Sequence, residues 1–394
     1  MAGNPCKRDE DMNRLVKLPL GGAELRDRII RSLRAQGFRV LDGAILPPEE
    51  LSKDRIRELH KTAVEHRIEQ ARKRLSRVEK NLLRYIASGH EVVPSRISPR
   101  LVEVMPGSEE ELLFRYASLH WSIPVSSGYG RRLRFLVLDD HNGKLIGLIG
   151  LGDPVFSLQP RDAWIGWTFF ERKKRLTSVM DAFVLGAVPP YSYLLCGKLV
   201  AMLTVSDTVR RAFRRKYGGV RSVIRRKVHD GRLALITTTS ALGRSSVYNR
   251  LRLGNRLLYQ SVGFTKGFGE FHFSNGLYGA ITEFVEKHCE PTAKQERWGV
   301  GFRNRREVIQ KCLRALGLSS DWLCHGIKRE VFVIPLARNC REFLRGEHSR
   351  LQWYHYSESQ IFEYFRDRWM LPRAARDQRY RTFEVESYRL WRAP

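Results

Sequence analysis

Acidic side chains are scarce in this chain. Its 394 residues carry 42 Asp and Glu against 70 Lys and Arg, a formal charge of +28. Such a surface attracts polyanions and speeds encounter with them; nucleic acid is the first candidate and anionic membrane the second. Long apolar runs are missing as well. None approaches eighteen residues, which excludes a membrane-spanning helix. The opening Met1–Leu15 has no apolar signal core, so a cytoplasmic protein with no membrane partner is expected. Cysteine is sparse and follows no C-x-x-C pattern: Cys6, Cys196, Cys289, Cys312, Cys324 and Cys340 read as thiols rather than disulfides. The adjacent pairs His288–Cys289 and Cys324–His325 lack metal-ligand spacing, so no metal is assigned. Also absent are a Ser-His-Asp spacing, H-E-x-x-H, a complete Walker motif, low complexity and internal repeats.

What is present centres on Asp181–Gly219. Ala182–Val188 is a short apolar run of the kind that forms a buried strand. Pro189 and Pro190 have no N–H to donate and end the pairing. Leu195, Leu199, Met202, Val209, Phe213 and Tyr217 then recur at helical steps, predicting one helix of about six turns stopped by Gly218 and Gly219. A strand, tight loop and helix aim free N–H groups above the strand end, which suits a phosphate. Tyr191, Ser192, Gly197 and Lys198 are therefore the candidate cofactor-binding residues. Arg210, Arg211, Arg214, Arg215 and Lys216 crowd the last turns with more cations than a helix dipole requires. Arg221, Arg225, Arg226 and Lys227 follow. The segment Arg210–Arg256 lacks the interleaved acids of an ordinary solvated face, and is the candidate nucleic-acid-binding surface, with DNA placed ahead of RNA.

The expected fold class is α/β (α+β), a mixed sheet flanked by helices, in three regions. Residues 1–106 form a helical N-terminal region, with a long charged helix opened by Pro47 and Pro48 and striped through Ser88. Residues 107–275 form the α/β core. There Ser108 and Glu111 cap a helix reaching Trp121. Leu133–Asp139 and Leu145–Leu151 form a hairpin around Asn142–Gly143. Ala163–Phe170, Leu233–Thr239, Leu257–Phe264 and Phe268–Phe273 are further strands. Residues 276–394 are a mostly helical extension, with helices over Asn304–Leu316 and Ser357–Trp369 and a strand at Val331–Leu336. Its aromatics, Trp353, Tyr354, Tyr356, Phe362, Tyr364, Phe365 and Trp369, are assigned to packing ahead of base stacking.

Polar residues gather after the Leu233–Thr239 strand: Thr238, Thr239, Ser240, Arg244, Ser245, Ser246, Tyr248, Asn249 and Arg250. Strand ends of an open sheet are the usual ligand crevice. Hydroxyls beside guanidinium groups suit a phosphate or a base edge. Arg244, Asn249 and Arg250 join the nucleic-acid candidates, and Tyr248 with Asp153 are the candidate acid/base pair. Ser245 and Ser246 serve equally well as helix caps. Asp139–Asp140–His141 reads as hairpin-turn polarity rather than a metal or acid/base cluster.

Two resemblances follow. The strand and helix order, and Leu258–Phe264 as an "lYeklGF" strand, resemble the acyl-CoA N-acyltransferase (GNAT) fold. That resemblance implies acyl-CoA as cofactor and places its pyrophosphate at the Tyr191–Lys198 loop. The usual loop is Arg/Gln-x-x-Gly-x-Gly/Ala, and only Gly197 is present here. Longer blocks resemble the Druantia anti-phage system protein DruA family: Leu145–Leu158, Arg161–Trp167, Val179–Leu203, Thr237–Leu251, the later NRREVIQKCLRALGL and HGIKREVFVIPLA, and Arg368–Ala374. This resemblance covers about residues 110–375 and implies bacterial defence alongside a large helicase and accessory proteins. It supplies no catalytic residues. The expectation is a nucleic-acid-binding defence protein; the alternatives are a GNAT-like transferase acting on a nucleobase or other acceptor, and a basic scaffold subunit.

Overall fold

The computed structural model describes residues 21–391 apart from 42–43, 126–129, 222–227, 274–275, 293–300 and 303. The chain divides into two compact units. The smaller joins residues up to Ala63 with Lys266–Ile327. Its helix Gly22–Ala35 buries Leu25, Ile29 and Leu33, one stripe at helical spacing. A small hairpin pairs Arg39–Leu41 with Ala44–Leu46. Helix Leu277–His288 is followed by Arg305–Ala315, whose cap is the Asn304 side chain accepting from the Glu307 N–H. The strand expected at Phe268–Phe273 is not formed. Phe271–Phe273 is a single 3-10 turn, and buried His272 meets the Trp322 carbonyl at 2.8 Å.

The larger unit, Val64–Thr265 with Lys328–Pro394, is built on a seven-stranded sheet. Its strands are β1 (Pro99–Glu103), β2 (Arg132–Asp139), β3 (Lys144–Gly152), β4 (Val179–Ala187), β5 (Leu235–Thr239), β6 (Gln260–Phe264) and β7 (Glu330–Pro335). They lie in the order β6-β7-β5-β4-β3-β2-β1. Every pairing is antiparallel except β4–β5. The fold is thus mixed α/β. Gly143, at φ 72°, takes the left-handed position of the β2–β3 turn, where a side chain would be strained. β7, expected in the C-terminal extension, is buried at all six positions between β5 and β6. Its unbroken apolar run from Val331 to Ile334 is the pattern of a strand covered on both faces.

The helices are α1 (Glu109–Ser118), α2 (Gln159–Ile165), α3 (Phe169–Arg175), α4 (Cys196–Leu203), α5 (Asp207–Tyr217), α6 (Cys340–Arg345) and α7 (Glu358–Phe365). α4 and α5 join Met180, Ala182, Ile236 and Phe332 in one core. α2 and α6 cover Val179, Leu235 and Val333, while α1 covers Leu136, Leu148 and Val184. Strand alternation puts Ala182 and Phe183 on opposite faces.

Three expectations are corrected here. Ala163–Phe170 is not a strand. Asp162 accepts from the Leu158 N–H, Gly166 ends α2 in the left-handed region, and a Thr168–Glu171 capping box starts α3. The spaced tryptophans imitate alternation, but the caps decide. Nor do Tyr191–Tyr217 form one helix: a 3-10 turn at Tyr191–Leu194 leads through left-handed Leu195 into α4. The Thr204 hydroxyl turns back to the Ala201 carbonyl (2.7 Å), and the Ser206 hydroxyl caps α5. Finally, helix Lys53–Leu75 stops short of Ser88 and gives way to short turns through Tyr85.

Candidate nucleic-acid interface

The buried side of α5 is Val209, Ala212 and Phe213, which leaves Arg211, Arg214 and Arg215 exposed. Arg215 is spoken for by an ion pair with Glu103 of β1, and Lys216 sits 3.7 Å from the same carboxylate. Among the described residues no acid lies within ion-pair distance of Arg211 or Arg214. Arg210 points along the helix edge, pairs with Asp207 (2.8 Å) and lies 4.5 Å above the Trp353 ring. It also meets His355 Nδ1 at 3.2 Å.

Residues Trp353–Tyr356 run alongside α5, pinned by the Asp207 N–H donating to the Tyr356 carbonyl (3.0 Å). Tyr354 and Tyr356 stack at 6.3 Å with 13° between planes. Arg256 lies over both, 3.3 Å from the Tyr354 ring and 5.5 Å from Tyr356. Alternation along an extended segment accounts for the pattern: Trp353 and His355 take Arg210, Tyr354 and Tyr356 take Arg256. Arg256 belongs to the short hairpin Arg252–Leu253/Arg256–Leu257, whose Arg252 is exposed. The two ends of the basic segment are thereby joined through an aromatic ribbon. Sequence reasoning assigned these aromatics to packing, and Trp353 and Tyr356 do pack against the core of the larger unit; it missed the pairing of the ribbon with two separated arginines, for which the alternate W-Y-H-Y order was the available sign.

The remaining candidates are dispersed. Arg221 is exposed and bridged to Val228. Arg225, Arg226 and Lys227 lie outside the described residues. Arg244 sits over Phe264 at the sheet's edge (5.9 Å). Asn249 and Arg250 are exposed in a turn, Arg250 at φ 73°. No helix follows Gly243; the Ser245 hydroxyl instead accepts from the Val247 and Tyr248 N–H groups at 3.2 and 3.0 Å.

The loop marked for a cofactor is largely interior. Tyr191 is fully buried, donating to Asp139 (2.8 Å) beside Asn142. Ser192 closes a turn onto the Val188 carbonyl. Gly197 faces open space. Lys198 is half-buried, 5.5 Å from the Trp369 ring, and burial lowers its pKa. Arg373 donates to the Tyr193 carbonyl (3.2 Å), and Arg379 lies over the Tyr193 ring. The C-terminal segment thus occupies space above this loop.

Asp153 and Tyr248 are not brought into contact among the described residues. Asp153 is held by Arg131 through a 2.6 Å ion pair. Tyr248 stacks on Tyr259 (4.9 Å, 14°) and meets Phe332 edge-on, and burial pushes its pKa up to about 12, with the Asp181 charge adding to the rise. The acid whose charge reaches it is Asp181, on the other face of the sheet at the last paired position of the parallel ladder, Asp181↔Thr237. Thr237 Oγ1 donates to it at 2.7 Å. Desolvation raises the Asp181 pKa despite the nearby charges of Arg161 and Arg132. A lone acid inside VMDAFVLGA was the sequence sign. The group's raised pKa means that its contribution to stability is full below about pH 4 and is lost as pH climbs through the folded-state value. We expect Asp181→Asn, which keeps an acceptor for Thr237, to match the parent at low pH and to exceed it by about 1 kcal/mol or more at neutral pH. Urea denaturation across pH 4–8 measures this, and parallel curves would contradict it.

Among the described residues no group of three or more His, Cys, Asp or Glu could hold a metal, and no helix is long and apolar enough to cross a membrane.

Fold and composition together define a basic protein built on a mixed α/β sheet. The chain matches the family described as Druantia protein DruA over residues 50–346. It is 41% identical over 387 residues to the Druantia protein DruA of Escherichia coli (strain UMEA 4076-1), covering 98% of this chain and 93% of that protein. The chain belongs to the DruA family. No solved structure matches it.

Proposed function

We propose that this protein binds nucleic acid in anti-phage defence, holding a phosphodiester backbone along the face formed by α5, Trp353–Tyr356 and the Arg252–Leu257 hairpin. The observation that carries the reading is the joining of Arg210 and Arg256 through one aromatic ribbon. Arg211, Arg214 and Arg252 extend it into solvent as charges available to phosphates. A helicase partner, implied by the family resemblance, would act on the same polymer. The test is fluorescence anisotropy with single-stranded and duplex DNA and RNA across a salt series. Binding through about four phosphate contacts gives a log–log slope near −3 to −4. Affinity independent of salt would reject the proposal.

A second reading starts from the end of the β4–β5 ladder at Asp181 and Thr237, where Tyr248 packs on one face of the sheet and the Asp181 charge reaches it from the other. It is a GNAT-like transfer reaction with Tyr248 as the proton-handling group and Asp181 tuning it. A thermal shift with acetyl-CoA supports it, and none at millimolar ligand removes its donor.

A further inference from the structure

A hollow in the larger unit lies on the opposite face of the sheet from the aromatic ribbon. It is a cavity of about 630 Å³. Residues 64–75 of the helix Lys53–Leu75 form one wall and α1 another; β2 and β4 form the floor. Its size is that of small-molecule sites, which run from about 300 to 1,000 Å³.

Its lining is chemically lopsided. Five guanidinium groups border it, from Arg67, Arg74, Arg115, Arg132 and Arg134, and no Asp or Glu does among the described residues. Glu111, just behind, pairs with Arg115 (2.9 Å) and Arg134 (3.2 Å). Arg67 donates to the Val125 carbonyl. Arg132 and Arg74 have no carboxylate within ion-pair distance among the described residues. Arg132 lies flat on the Phe183 ring at 4.6 Å, and a Cβ at Gly152 would collide with its guanidinium. The fork is therefore held in place from both sides. Burial lowers the pKa of Arg67 and Arg132, the direction expected where charge is withdrawn from water; for Arg132 the Arg134 charge adds to the fall, and the more distant Asp153 and Asp181 oppose it. Trp121 adds a ring laid against the sheet at Gly186, and Phe183 a second.

We propose that this cavity binds a phosphorylated nucleoside, its phosphates taken by Arg67, Arg74, Arg132 and Arg134 and its base by Trp121 and Phe183. Planar guanidinium forks suit phosphate oxygens, and flat rings suit a base. That ligand class uses both halves of the lining. The residues are separate from those of the α5 face, so either proposal can fail alone.

Calorimetric titration of the full chain with ATP, GTP, ADP and tripolyphosphate tests it. Nucleotides are expected to bind in the micromolar range, and tripolyphosphate about tenfold or more weaker. Arg67→Ala/Arg74→Ala should weaken nucleotides by about tenfold or more. Trp121→Ala should weaken ATP and spare tripolyphosphate, which keeps the test valid if the arginine pair disturbs the fold. A competing 5′-phosphorylated oligonucleotide identifies the source. Displacement of ATP assigns the cavity to a strand end, and independent binding assigns it to free nucleotide. No heat with any nucleotide at millimolar concentration overturns the proposal. Equal affinity for ATP and tripolyphosphate overturns it too, leaving an anion site without a base.

Discussion

Reversing two charges, Arg211→Glu with Arg214→Glu, is expected to weaken nucleic-acid binding by about a hundredfold at moderate salt and to reduce the salt slope by about two. Both side chains are exposed on α5 and hold no acid among the described residues, so their removal breaks no ion pair. Exposed substitutions of this kind usually shift stability by under about 0.5 kcal/mol. Arg214 lies in the last turn, where a negative charge opposes the helix dipole and adds about 0.3–1 kcal/mol. Circular dichroism should therefore be unchanged while anisotropy changes greatly. The neighbours are poorer choices. Arg215 and Lys216 hold Glu103, and Arg210 packs on Trp353, so replacing them confuses binding with folding. A double variant that binds like the parent would remove α5 from the interface.

The sequence was most readable where structure is local. Asn142–Gly143 between alternating runs marked the β2–β3 hairpin, and Asn304 marked the start of its helix, because turns and caps act over a few residues. Val331–Leu336 was readable as a strand but not as one placed between β5 and β6, since nothing local states its partners. Ala163–Phe170 was misread because Trp164 and Trp167 outweighed the Thr168–Glu171 capping box. Candidate sites followed the same rule. Arg210 and the cations after it were visible as a run. Their connection to Arg256 runs through Trp353 and Tyr354, 143 residues beyond Arg210 and 98 beyond Arg256, and needed coordinates. The arginine cavity was invisible for the same reason, its members being drawn from residues 67 to 134. Tyr191 shows the converse: a polar residue in a promising loop whose hydroxyl is used up internally by Asp139.

The largest loss of stability is expected from Arg161→Met. Arg161 is 0% exposed, and each of its three guanidinium nitrogens has a partner. Its guanidinium pairs with Asp162 (2.7 Å) and donates to the Val155 and Phe156 carbonyls at 2.9 and 3.0 Å. Methionine matches the stem but returns none of these bonds. Two carbonyls lose their donor, Asp162 keeps only Arg172 and the Leu158 N–H, and Asp181 loses a cation that holds its raised pKa in check. Removing one member of such a buried set costs about 3–5 kcal/mol, readable as a fall in the urea midpoint at unchanged slope. Lysine should recover little, because one ammonium cannot reproduce a planar fork. Part of the loss is electrostatic and should therefore be recoverable. Adding Asp181→Asn to Arg161→Met removes the carboxylate that the mutation leaves exposed to burial without its cation, so the two changes together should cost about 1 kcal/mol less than their sum at neutral pH. At low pH, with Asp181 protonated in both folded and unfolded chains, that coupling should vanish. A coupling that persists at low pH would mean that Arg161 supports Asp181 by packing alone, and the charge link between α2 and the end of the parallel ladder would be refuted.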